Sequence, residues 1–124
     1  MQRLLQADTA GGHAFHKAHE FSGYALAGAT PLAIFSSKGS ILQRTADFLF
    51  SVAIPVHSHI TMNAVVTDYL PKAARGPARV GVLGMSVVTY LGIMKMNLAG
   101  PGLTETVKGL WRKPVPAAAP AAKK

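Results

Sequence analysis

His57-Ser58-His59-Ile60-Thr61-Met62-Asn63-Ala64-Val65-Val66-Thr67-Asp68-Tyr69 is the stretch on which the reading of this chain turns. It closes a helical span expected from Thr45 to Tyr69, whose apolar body, residues 48 to 66, would be about 28 Å long. That is close to the roughly 30 Å hydrocarbon core of a bilayer. Two imidazoles near the start of the stretch and an Asp-Tyr pair at its end are expensive inside a span, and polar groups kept at such cost point to function. On a helix turning 100° per residue, Asp68 returns to within about 20° of His57. His57, Thr61, Ala64, Val65 and Asp68 then form one stripe, with His57 and Asp68 about 16 Å apart along the axis. Small side chains between the two polar groups leave room for something flat and large. Tyr69 sits beside the far end of the stripe, and His59 points nearly opposite to His57.

Each of these residues admits two readings. A histidine inside a span is either a hydrogen-bond partner between helices or a metal ligand. As an axial ligand of haem iron, its other ring nitrogen normally donates to a carbonyl, and Ala53, one turn earlier, offers one. Pro55 removes the hydrogen bond to the Ser51 carbonyl and bends the helix just before His57. A Tyr beside an Asp at the membrane boundary is either an aromatic-belt residue with a helix-ending acid, or a phenol placed to donate a hydrogen bond to a bound carbonyl.

The run His57-x-His59-x(5)-Val65-Val66-Thr67-Asp68-Tyr69 resembles the second transmembrane helix of the small cytochrome b anchor subunit of succinate dehydrogenase, respiratory complex II. The resemblance implies that His57 is an axial ligand of haem b and that Asp68 and Tyr69 close a ubiquinone pocket. The twelve-residue step from ligand to tyrosine is kept. A glycine that commonly follows the ligand shortly is absent, the positions being Ile60, Thr61 and Met62. One histidine makes one axial bond, so a second ligand is expected from the large cytochrome b subunit. The same resemblance implies iron–sulfur and flavoprotein subunits as further partners. His59, facing away, reads as structural, reaching a partner chain.

Composition agrees with a membrane subunit. Apolar residues make up 49% of the 124 and charged residues 15%, well below the usual quarter of a soluble domain. The net charge of +8 invites a nucleic-acid reading, but the apolar runs have no basic face and no interleaved aromatics. There is no cysteine, hence no disulfide framework and no thiolate iron–sulfur ligand. Any iron–sulfur chemistry belongs to partner chains.

Working outward, residues 1–19 read as a matrix or cytoplasmic segment without the charged-then-apolar shape of a secretory signal. His13, His16 and His19 lie at three-residue spacing on one side of a helix, either a metal site or an interfacial amphipathic segment. His16 is the nearest match to a histidine that the resembled family carries before its first span. Residues 21–36 are the first apolar segment, about 24 Å as a helix, with Gly23, Ala27 and Pro31 forming a groove for close packing. Ser40 is the expected cap of the second helix, and Asp47 suits the positive end of its dipole. Residues 70–79 read as a cationic loop facing the matrix or cytoplasm, with Pro77 in the first turn of a third span over about 78–98. Gly81, Gly84, Ser86 and Gly92 give that span small faces. After Gly100-Pro101-Gly102, residues 103–112 suit a short interfacial helix anchored by Trp111, and the tail to Lys124 is Pro/Ala-rich and too poor in large side chains to fold alone. Its cations run against a simple positive-inside count, which leaves a two-span topology as the alternative.

The expectation is an all-α membrane protein: a segment 1–19, a three-helix transmembrane anchor over 20–100 packed against a larger cytochrome b subunit, and an interfacial segment with its tail over 101–124. The chain has no nucleophile, acid–base constellation or dinucleotide loop, so alone it does not oxidise succinate. The implied setting is the mitochondrial inner membrane, or a bacterial plasma membrane. Two competing classes stand beside this one. One is a non-enzymatic paralogue in a mitochondrial inner-membrane protein-import complex, which has no evident need of His57, Asp68 and Tyr69 together. The other is a basic peripheral protein on anionic membranes or nucleic acid.

Overall fold

The computed structural model describes residues 5–7 and 12–112. They form four helices, here α1 (His13–Phe35), α2 (Ile41–Tyr69), α3 (Lys72–Ala99) and α4 (Leu103–Gly109). α1 begins directly after Gly12, so the histidine segment and the first apolar segment are one continuous helix. α2 starts at the expected cap: the Ser40 hydroxyl accepts the Gln43 N–H at 3.2 Å, and the Gln43 side chain accepts in return from the Gly39 N–H. The helix runs unbroken through Pro55, which is buried.

The start of α3 corrects the expected loop over 70–79. The connection is only the Leu70-Pro71 turn, and Pro77 lies in the second turn of α3. Pro71, at φ −64°, stands as N-cap before Lys72-Ala73-Ala74-Arg75, a run of strong helix formers. Arg75 closes the turn by donating from Nε to the Leu70 carbonyl at 2.9 Å. Ala73, whose carbonyl Pro77 leaves without its helical donor, is exposed.

α2 is the central helix, packed against both α1 and α3, with α4 folded back onto α2 and α3. The interior is made of small side chains: Ala29 and Ala33 of α1 meet Ala46 of α2, flanked by Leu32, Leu49 and Phe50. The packing face of α1 is therefore Ser22, Ala29 and Ala33, one step round from the expected Gly23-Ala27-Pro31 groove, of which Ala27 and Pro31 are exposed. The largest fully buried side chains are Asn63 and Ser51, whereas Phe21, Phe48, Val88 and Leu91 face outward. A water-soluble bundle has the opposite polarity. In lipid, apolar side chains gain nothing by turning inward, and helices associate through small residues and hydrogen bonds. α2 and α3 are each long and apolar enough to cross a membrane, in keeping with the expected all-α membrane architecture.

Asp47 does other work than expected. It lies in the second turn of α2, and its Oδ1 accepts from the Thr104 N–H at 2.8 Å and from the Thr104 hydroxyl. Asn97 donates to the Asp47 carbonyl at 2.8 Å and accepts from the Leu103 N–H at 3.0 Å. The carboxylate thus satisfies a first-turn N–H group of α4, which has no side-chain cap of its own. The Pro/Ala-rich tail lies outside the described residues.

Candidate functional site

Because α2 is flanked on both sides, its two central histidines part company. His57 turns to α1, where Nδ1 lies 3.2 Å from the Ser22 hydroxyl. The Ala53 carbonyl expected as partner for that nitrogen is thus replaced by a side chain from another helix. His19, one turn before Ser22, stacks on His57 with ring centroids 4.2 Å apart and an interplanar angle of 25°. His19 Nε2 reaches Thr61 Oγ1 at 3.3 Å, and Thr61 in turn donates to the His57 carbonyl at 2.8 Å. Gly23 faces the ring as well: a Cβ there would make ordinary contact with His57 Cε1 at 3.7 Å.

His59 turns to α3. Its Nδ1 lies 3.0 Å from Ser86 Oγ, whose proton goes to the Val82 carbonyl at 2.8 Å, so the imidazole donates. Asn63, fully buried, donates to the His59 carbonyl at 2.9 Å and lies 3.4 Å from its Nε2. His59 is accordingly a bridge between α2 and α3 within this chain, in keeping with a structural role. An apolar hollow of about 370 Å³ lies on that side, walled by Pro55, Ile60, Leu83 and Val87 together with His59 and Ser86.

Asp68 and Tyr69 are the last two residues of α2 and both are exposed, Tyr69 to 81%. Arg79 of α3 donates to the Thr67 hydroxyl at 3.0 Å, beside Asp68 in sequence, and Thr67 passes its own proton to the Asn63 carbonyl at 3.0 Å. Arg75 sits one turn before Arg79, so the cations expected in a loop are carried on the first turns of a helix beside the Asp-Tyr pair. Twelve residues separate His57 from Tyr69, about 18 Å of helix. One helix therefore carries an imidazole cluster near its middle and an exposed Asp-Tyr pair at its C-terminal end. Among the described residues no group of three or more His, Asp or Glu side chains gathers as a metal site, so His13, His16 and His19 do not form one.

The sequence singles out His57, Asp68 and Tyr69, but it favours His16 over His19 and gives Ser22 no part. The signal it does hold is the three-residue step from His19 to Ser22. Its meaning appears only once α1 lies against α2.

The comparisons with known proteins give the chain a family. A family model described as CybS, succinate dehydrogenase cytochrome B small subunit, matches residues 5–112. The chain belongs to that family. Among individual small-subunit relatives, it is 37% identical over 71 residues to the mitochondrial succinate dehydrogenase [ubiquinone] cytochrome b small subunit of Mus musculus, covering 53% of this chain and 42% of that one. Against the corresponding Neurospora crassa protein the identity is 29% over 90 residues, 69% of this chain and 54% of that one. With the corresponding Homo sapiens protein it is 31% over 67 residues, 53% and 42%. The chain spans about half the length of the curated relatives it matches. No solved structure matches it. The small-subunit family is one of cytochrome b membrane subunits, in accord with the two membrane-capable helices.

Proposed function

We propose that this chain is a membrane anchor of succinate dehydrogenase in the mitochondrial inner membrane, supplying one haem b ligand and part of a ubiquinone-reduction site. The bacterial plasma membrane is the alternative setting. α1 is the third crossing, which puts the start of α1, Asp68, Tyr69 and the Leu70-Pro71 turn at one membrane face. A large cytochrome b subunit packs alongside, and iron–sulfur and flavoprotein subunits complete the complex. The family match over residues 5–112, taken with the placement of His57, carries the reading.

The residues fit a haem. His57 is engaged through Nδ1, which leaves Nε2 for iron. Haem b, when bound, supplies a one-electron carrier between the donor subunits and the quinone. His57 would hold the haem iron from this chain, and a histidine of the large subunit would supply the second ligand. At the mouth of the site, the exposed Tyr69 phenol donates a hydrogen bond to a quinone carbonyl oxygen. Asp68 orients that phenol and sets the local charge, with Arg75 and Arg79 close by on α3.

Tyr69→Phe in the purified complex tests the quinone role. Loss of one such hydrogen bond is worth about 1 kcal/mol or slightly more, so succinate:quinone activity is expected to fall roughly tenfold. Succinate oxidation by an artificial acceptor should stay unchanged. Undiminished quinone reduction would remove Tyr69 from the site.

A further inference from the structure

The two hydroxyls that touch the stacked imidazoles carry one proton each, and the geometry says where each proton goes. Ser22 Oγ lies 2.9 Å from the His19 carbonyl, and Thr61 Oγ1 lies 2.8 Å from the His57 carbonyl. A carbonyl only accepts, so both hydroxyl protons are spent there, and each hydroxyl has lone pairs alone to offer an imidazole. With those protons so placed, His57 Nδ1, 3.2 Å from Ser22 Oγ, is assigned as the protonated nitrogen that donates. His19 Nε2, 3.3 Å from Thr61 Oγ1, is assigned the same way.

The result is a reciprocal clasp between α1 and α2. His57 donates to Ser22, which donates to the backbone of His19. His19 donates to Thr61, which donates to the backbone of His57. Between the two arms the rings lie face to face at 4.2 Å, which holds the plane of each. A neutral imidazole has one N–H, so a donating Nδ1 makes Nε2 of His57 the bare lone pair.

We infer that Ser22, seconded by Thr61 and His19, is a positioning residue for His57. It fixes the tautomer that leaves Nε2 able to bind iron, and it fixes the plane in which that lone pair points. This inference rests on the ligand role proposed for His57. Without the Ser22 acceptor, the ring loses the bond that favours the Nδ1–H form and that sets its rotation, and groups in this position typically affect metal retention by about 10- to 100-fold. Ser22 is 6% exposed, and its hydroxyl is supplied by α1 while the ligand is on α2, so haem binding and α1–α2 docking are coupled through this contact.

The test compares the purified native complex with complexes carrying Ser22→Ala, Ser22→Thr, Thr61→Val and His57→Ala. The readouts are the redox titration of the b-type band and the rate of haem transfer to excess apomyoglobin. Ser22→Ala is expected to keep the band, shift its midpoint potential and speed haem loss by about tenfold or more. Ser22→Thr, which keeps the hydroxyl, should restore both, and His57→Ala should lack the band. Thr61→Val, nearly isosteric, should shift the same readouts in the same direction by less, and it decides the matter if Ser22→Ala does not assemble. Native potential and haem retention in Ser22→Ala and Thr61→Val, with no band in His57→Ala, would leave the ligand in place and overturn the positioning role. An unchanged band in His57→Ala would overturn the ligand reading itself, and the positioning role with it.

Discussion

His57 and His59 are two residues apart on α2, so their side chains leave the helix about 200° apart. One reaches Ser22 on α1 and the other Ser86 on α3, and the iron-ligand role proposed for His57 uses the nitrogen turned away from Ser22. The opposition of the two was legible from helical geometry alone. Their partners were not, because a serine on another helix leaves no mark near position 57. Gly102 is a second residue whose role only contact reveals. Its backbone lies at φ 90° and ψ 160°, a region open essentially to glycine, and an added Cβ would overlap the Asp47 carboxylate. Gly102→Ala should therefore cost at least about 1–3 kcal/mol from backbone strain alone. The expected outcome is a lower melting temperature and poorer recovery of the assembled complex. Gly109→Ala, where a Cβ meets nothing within 4 Å, should leave both near native.

At the scale of elements, the helices were readable and their edges less so. The apolar body of α2 and the Ser40 cap were plain, since length, hydropathy and cap chemistry all agreed. Residues 70–79 misled because two prolines and a glycine outweighed the helix-forming Lys72-Ala73-Ala74-Arg75. α4 is the element most dependent on charge. The Glu105 carboxylate accepts from Arg112 at 2.8 Å and from Gln43 at 2.9 Å, and Arg112 foremost, with Gln43 next, holds its pKa below the ordinary 4.5. A depressed carboxylate pKa contributes stability that is fully present above 4.5 and is lost as pH falls through the lower folded value. Amide protection over 103–109, measured by hydrogen exchange on the complex and corrected for intrinsic rates, should therefore drop on acidification below that range. Glu105→Gln should flatten the dependence. Protection that falls equally in both would place the acid sensitivity elsewhere.

At the scale of the whole molecule, polar contacts hold the short last helix to the bundle. Lys108 donates to the Ser36 carbonyl at 3.0 Å, which ties α4 to the end of α1, and Gln43 donates to Glu105 at 2.9 Å, which ties it to the first turn of α2. The same inward use of polar groups runs through the bundle, with Ser22, Ser51 and Asn63 buried and aromatic and aliphatic side chains outside. That inversion was legible as composition, but the particular hydrogen bonds that exploit it needed three dimensions. Everything proposed for the mid-span cluster depends on His57 serving as an iron ligand in an anchor of the small-subunit family. A reduced-minus-oxidised visible spectrum of the purified native complex, set beside His57→Ala, is the decisive test. A b-type band is expected in the native sample and absent from the variant. A band of equal height in both, or none in either, would contradict that role.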